Sequence, residues 1–182
     1  MSDTSTETLT GAEALVATLA DNGVTACFAT PGTSEMHLVT ALDKETRIRW
    51  VATGAADGFA RVAGTPAMTL LHLGAGYLNA GANIHNAKRA CTPMINVIGD
   101  HAVPHVKYDA PLTSDIVGLA GPNSNWIKSA NSVGVTGKLA SEAIVAAYCG
   151  KPGPVSLILP ADSAGTEGGV KGRRITPPAL GT

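Results

Sequence analysis

Apolar positions recur along this chain in two alternating patterns. "VTACFAT" (24–30), "AMTLLHL" (67–73), "MINVIGD" (94–100) and "PVSLILP" (154–160) are short, nearly continuous apolar runs. Runs of that kind form strands buried on both faces. "IRWV" (48–51) and "WIKSA" (126–130) are weaker extended candidates. Between them, apolar residues return at helical spacing. Leu15, Val16 and Leu19 make one stripe, opened by Thr10 with Glu13 three residues on, and stopped at Asn22-Gly23. "EMHLVTALDK", with Ser34 placed to cap it, is a second helix. "ATGAADGFARVAG", "YLNAGANIHNAKRA" and "GKLASEAIVAAYCG" are three more. From His101 to Asn125 the chain is loop-rich and broken by Pro104, Pro111 and Pro122.

Strands alternating with helices of about a dozen residues predict an α/β fold: three layers, α/β/α, around a mostly parallel sheet. Ligands of such sheets sit at the carboxyl ends of the strands, near a topological switch point. That selects four site loops: Thr30 to Ser34, the segment near Trp50, Leu73 to Asn79, and Asp100 to Tyr108. The predicted organisation is a polar leader over 1–9, one domain over 10–165, and a linker or tail over 166–182; after Pro160 Gly, Ser, Thr and Pro replace the apolar pattern.

Composition narrows the function. At 182 residues the chain suits one domain. Its formal net charge of −1, its 4% aromatic content and its short basic runs argue against nucleic acid and against an anionic membrane surface. No signal-peptide pattern and no apolar run of membrane-spanning length is visible, so a cytoplasmic protein is expected. Cys27, Cys91 and Cys149 lack metal or redox spacing and read as small buried residues in a reducing compartment.

Candidate chemistry is sparse. Gly74 and Gly76 stand between a strand and a helix, where backbone N–H groups can hold an anion. Asn79 occupies the place of the third glycine of a dinucleotide fingerprint, which argues against NAD or FAD. His101 and His105 share a loop with Asp100 and Asp109, but no helix fixes them in a ligand geometry, and solvated loop residues are the favoured reading. His72 ends an otherwise apolar strand. It is either a satisfied core histidine or one aimed into the cleft. Glu35 and Asp57 read as helix-face charges or caps.

Five segments in order carry a family resemblance: "GAEALVATLADNGVTACFATPGTSEMHLVTAL", "GAADGFARVAG", "LLHLGAGYLNAGANIHNAKRACTPMINVIGDH", "YDAPLTSDI" and "GPVSLILPAD". Together they resemble the N-terminal pyrimidine-binding domain of thiamine-diphosphate enzymes, of acetolactate synthase and benzoylformate decarboxylase type, over about residues 10 to 165. The resemblance implies that Pro31-Gly32 lie against the aminopyrimidine and that Gly74, Gly76 and Asn79 line the cofactor cleft. Ala75 replaces the proline of the family's Gly-Pro-Gly. His72 matches an active-site histidine of the decarboxylases, which turns its reading toward the cleft.

The resemblance also implies a residue that is absent. The family's second strand ends in a glutamate eight positions before the aspartate matched by Asp57. Its carboxylate bonds the pyrimidine ring nitrogen and promotes loss of the thiazolium carbon's proton. The cofactor carries the hard chemistry, and the protein tunes it. Counting back eight from Asp57 gives Arg49, and "IRWV" looks too short to cross the sheet. A deletion that removed the strand's end and its glutamate is therefore expected. Glu45, the nearest acid, precedes the strand and is expected at the sheet's opposite end.

The family's pyrophosphate domain, with its Gly-Asp-Gly motif and downstream Asn for Mg²⁺ and the diphosphate, has no counterpart here; the one Gly-Asp, Gly99-Asp100, sits on a strand end of the wrong domain. The tail resembles the linker to the family's middle domain. The expectation is a thiamine-diphosphate-binding domain derived from a 2-keto acid lyase or carboligase, inactive alone. Mg²⁺ is expected only with a partner carrying a pyrophosphate domain. A homodimer is expected because the family's site lies between subunits. The alternatives are a subunit of a two-chain decarboxylase, and a non-catalytic assembly module or truncated-gene product.

Overall fold

The computed structural model describes residues 8–52 and 55–175. Two short strands, β1 (Leu9–Thr10) and β8 (Glu167–Gly169), pair antiparallel apart from the main sheet. The main sheet contains β2 (Ala26–Thr30), β3 (Arg49–Ala52), β4 (Ala67–His72), β5 (Met94–Asp100), β6 (Ile127–Ser129) and β7 (Pro154–Pro160). Its order is β3-β2-β4-β5-β7-β6, and every neighbouring pair is parallel. Helices cover both sides, so the three-layer α/β/α expectation holds.

The period of two along each strand assigns the two faces. Cys27, Ala29, Met68, Leu70, Ile95, Val97, Val155, Leu157 and Leu159 face one way. They pack under α1 (Gly11–Asp21), α2 (Met36–Lys44) and α6 (Thr136–Tyr148) in one continuous apolar cluster. The capping box at Thr10 and Glu13 forms as its spacing predicts, with both reciprocal bonds present. Leu71, Ile98 and Ile158 face the other way and meet α4 (Leu73–Arg89) and α5 (Ile116–Ala120). Phe28 and Met94 meet α3 (Ala56–Ala63) in a separate cluster.

Three local expectations are corrected. Ser34 does not cap α2. A 3₁₀ turn over Thr33–Glu35 precedes that helix, whose cap position is Glu35. Of the cysteines only Cys27 is buried, and burial pushes its thiol up to about 12, whereas Cys149 is exposed.

The tail is the third. After the short α7 (Ala161–Gly165) and β8, residues 170–175 lie along α1 and α6. The Gly172 N–H donates to Thr18 Oγ1 at 2.9 Å, Ser141 Oγ donates to the Arg173 carbonyl at 2.8 Å, and the Ile175 N–H donates to Asn22 Oδ1. A Cβ on Gly137 would stand 2.1 Å from the Val170 carbonyl oxygen, so the strap runs against bare helix backbone. The tail reads as a linker because these contacts are made by its backbone, which leaves no pattern in the side chains.

Candidate functional site

The strand order fixes where a ligand crevice opens. From β2 the chain crosses to β3 on one side and then to β4 on the other, so the switch point is the gap between the carboxyl ends of β2 and β4. Pro31-Gly32 leave β2 there, and His72 ends β4 there. The sequence placed both at this cleft, and the fold brings them together: a Cβ on Gly32 would lie 2.4 Å from the His72 ring. Glycine is required at this position by close approach.

The residue that joins them is Glu35. Its side chain is 0% exposed. Its Oε2 accepts the Gly32 N–H at 2.7 Å and stands 2.7 Å from His72 Nδ1. Its Oε1 is buried with no partner among the described residues. It lies so close to Gly99, near the end of β5, that a Cβ there would fall 1.8 Å away. Glu35 is thus no helix-face charge; of the two expected readings it keeps the cap, since it stands at the cap position of α2 and accepts the Gly32 N–H at the start of the 3₁₀ turn. Its burial is set by β4 and β5, distant in sequence. The available signal was the trio of a strand-end histidine, a strand-end glycine and one acid in the adjoining loop.

Gly74 and Gly76 stand differently from expectation. No turn separates β4 from α4. The helix begins at Leu73, which adopts φ 51°, a left-handed conformation rare for a branched residue. Both glycines therefore sit in the helix's first turn. Gly76 lets α4 rest on the end of β4, its virtual Cβ only 3.2 Å from His72 Cβ, and Gly74 abuts the Ser114 side chain. Asn79 lies further along α4, exposed at the helix surface, and lines a cavity of about 100 Å³ with Phe28, Thr30, Thr69 and Leu71. The expected glycine-rich turn is thus a strained strand-to-helix junction.

Arg49 is also displaced from its expected role. It pairs with Ala26 at the amino end of β2, away from the cleft. Strand β3 runs from there to Ala52, opposite Ala29, and spans four of the five positions of β2. The strand is therefore long enough to reach the cleft side, and the length argument for a deletion fails. The spacing argument survives in another form. Ala52, at the strand's end, precedes Asp57 by five positions rather than eight. Thr53 and Gly54 lie outside the described residues, and no residue from 46 to 56 is acidic.

The remaining acids are committed elsewhere. Asp57 holds Arg61 one helical turn on, at 2.6 Å. Glu45 holds Arg47 at 2.6 Å, and that guanidinium lowers its carboxyl below the usual range. Glu35 lies over β4 and β5, about 10 Å or more from the end of β3 at the usual strand spacing. In the loop after β5, the His101 and His105 rings meet tilted at 57° with centroids 5.5 Å apart, and no group of acids, histidines or cysteines that could hold a metal occurs among the described residues. Burial raises the Asp100 carboxyl.

Residues 9–120 match the family model of the N-terminal TPP-binding domain of thiamine pyrophosphate enzymes. The chain belongs to that family. It is 52% identical over 167 residues to a Mycobacterium tuberculosis protein provisionally described as acetolactate synthase large subunit IlvX, covering 88% of this chain and 32% of that one. It is 32% identical to the acetolactate synthase isozyme 3 large subunit of Escherichia coli, covering 86% of this chain and 28% of that one. The fold superposes on the thiamine diphosphate-dependent 4-hydroxybenzoylformate decarboxylase of Rhodococcus jostii with a TM-score of 0.81 at 23% identity, over 87% of this chain and 31% of that one. It also superposes on benzoylformate decarboxylase from Polynucleobacter necessarius with a TM-score of 0.77 at 24% identity, over 86% and 31%. The chain spans about a third of the length of these relatives. It is a pyrimidine-binding domain of acetolactate-synthase-like thiamine-diphosphate enzymes. No helix among the described residues is long and apolar enough to cross a membrane.

Proposed function

We propose that this chain forms the pyrimidine-side wall of a thiamine-diphosphate site of a 2-keto acid lyase or carboligase, and that it does not turn over substrate alone. One observation carries the second half of the reading. The strand that reaches the cleft beside β2 has no acid at its end, while Pro31-Gly32 and His72 meet beside the switch point, with Gly74 and Gly76 in the first turn of the adjoining helix. These residues fit the walls of an aminopyrimidine pocket and lack its activating carboxylate. When bound, the cofactor would supply the carbanion chemistry that 2-keto acid cleavage requires. The chain's own part is to shape the cleft, exclude water with the packed junction at Leu73, and present His72. Mg²⁺ and the diphosphate would be held by a partner carrying a pyrophosphate domain. A homodimer in the cytoplasm is the arrangement this reading expects, and light scattering tests it.

The test is turnover of pyruvate or benzoylformate by the purified chain with thiamine diphosphate and Mg²⁺. No conversion above a heat-killed control is expected, and any sustained conversion sinks the proposal. A second reading has its own support. The cleft keeps a fully buried carboxylate around a histidine, an arrangement costly to fold and thus hard to retain without use. That favours a subunit of a two-chain enzyme over a decayed remnant or a passive assembly module. Activity that appears on mixing with a separate pyrophosphate-domain chain would establish it.

A further inference from the structure

Taking a carboxylate out of water costs several kcal/mol unless hydrogen bonds and a partner replace the solvent. Glu35 is wholly buried, and the one backbone N–H that donates to it, that of Gly32, belongs to its own turn. The surroundings are built to admit it. Two glycines, Gly32 and Gly99, come from different strand ends, and neither leaves room for a Cβ beside the Glu35–His72 pair. The next residue after His72, Leu73, sits at φ 51°, a strain that persists only where its surroundings over-determine it. That kink ends β4 and starts α4 within one residue, so the imidazole stands at the strand's tip and not along its face.

We infer that Glu35 is the positioning residue of His72: it fixes the imidazole as the Nδ1–H tautomer and leaves Nε2 as the working atom of the cleft. The hydrogen-bond inventory requires this assignment. A carboxylate only accepts, and Oε2 already accepts the Gly32 N–H. His72 Nδ1, 2.7 Å from the same oxygen, must therefore be a donor. Nε2 then carries the lone pair. It has no hydrogen-bond partner among the described residues, and the side chain is 20% exposed, which leaves the ring accessible to a ligand. An imidazole held this way accepts a hydrogen bond or a proton from a hydroxyl or acid on the ligand and, once charged, returns it with its orientation unchanged. Within the proposed function, which supplies only the identity of the ligand, the group that meets Nε2 is an oxygen of the 2-keto acid or of the product formed from it.

Glu35 is distinct from the family's activating acid, being on the far side of β2 from β3. The chain thus keeps the carboxylate that orients a proton carrier and lacks the one that activates the cofactor.

The test uses the chain as it is, with neither cofactor nor substrate. Long-range ¹H–¹⁵N correlation spectra of ¹⁵N-histidine-labelled protein at mildly alkaline pH report which ring nitrogen of each histidine is protonated. His72→Gln identifies the His72 signals by their loss. In the wild type His72 is expected as Nδ1–H by a ratio of about thirty to one, equivalent to about 2 kcal/mol. In Glu35→Leu no acceptor faces Nδ1, so the preference should be lost and the Nδ1–H form should no longer dominate. In Gly99→Ala, which displaces the carboxylate, the preference should fall toward an even mixture. An Nε2–H form in the wild type, or a tautomer ratio unchanged by Glu35→Leu in a folded protein, overturns the inference. The wild-type spectrum decides even if both variants misfold. Failure of the thiamine reading would leave these spectra as they are.

Discussion

The two faces of the sheet are built on different principles. The face under α1, α2 and α6 is one uninterrupted apolar cluster, and the strap over residues 170–175 closes it from outside. The face under α3, α4 and α5 is divided into two smaller clusters. Between them lie a buried polar pair, Thr69 donating to Asn96 Oδ1 at 2.8 Å, an Asn96 amide nitrogen and a Thr30 hydroxyl with no partner among the described residues, and the cavity above Thr69. The first face holds the fold together. The second gives up packing beside the end of the sheet where the cleft opens. Such departures from consistent packing are expected to cluster near functional sites.

Four measurements of chemical denaturation, in decreasing order of effect, would break or sharpen that contrast. Leu15→Ala, in the continuous face, should cost about 4 kcal/mol, whereas Leu71→Ala should cost about 2 to 3 because part of that side chain already borders a void. Equal losses would mean that the faces are packed alike.

Thr18→Val removes the acceptor that the Gly172 N–H uses and should cost about 1 to 2 kcal/mol. Greater exchange of the strap's amides with deuterium should accompany it. A neutral result would show the strap to be incidental to stability.

Thr69→Val alone leaves the Asn96 side chain without a partner among the described residues and should cost about 1 kcal/mol or slightly more. The double variant Thr69→Val/Asn96→Leu should recover that loss or exceed the wild type by about 1 kcal/mol, since it removes buried polar groups together. If the double variant is worse than the single one, the polar pair is structural and the two-principle account is wrong at that point.

Asp100→Asn should give the smallest effect, about 0.5 kcal/mol of added stability above the carboxylate range. Burial raises the folded-state value of this acid above its unfolded value. Its favourable contribution is therefore present at low pH and lost as pH rises through the folded value. The variant's advantage should appear only on the high-pH side of that window. An advantage that grows toward acid would contradict the assigned cause.

The division between the faces also explains what the sequence could reveal. "MINVIGD" and "PVSLILP" are strands with the boundaries their apolar runs predict, because both are central and covered on both sides. The Thr10–Glu13 box is equally local. His72 was legible as a polar residue out of place in an apolar strand. Glu35 was not, because its partners arrive from positions 72 and 99, and its short-range context resembles a helix cap. The α4 junction is hidden in the sequence because glycines after a strand usually mark a turn, and here they admit a helix directly onto the strand end. The strap was hidden because backbone hydrogen bonds impose no period on side chains.

The central claim is that this domain shapes a pyrimidine cleft without the acid that activates the cofactor. The rate at which the C2 proton of thiamine diphosphate exchanges with deuterium, followed by NMR with the chain and Mg²⁺ present, measures that activation directly. The account predicts the rate of free cofactor in the same buffer. An exchange rate raised in proportion to protein concentration, and abolished by heating the chain, would contradict it.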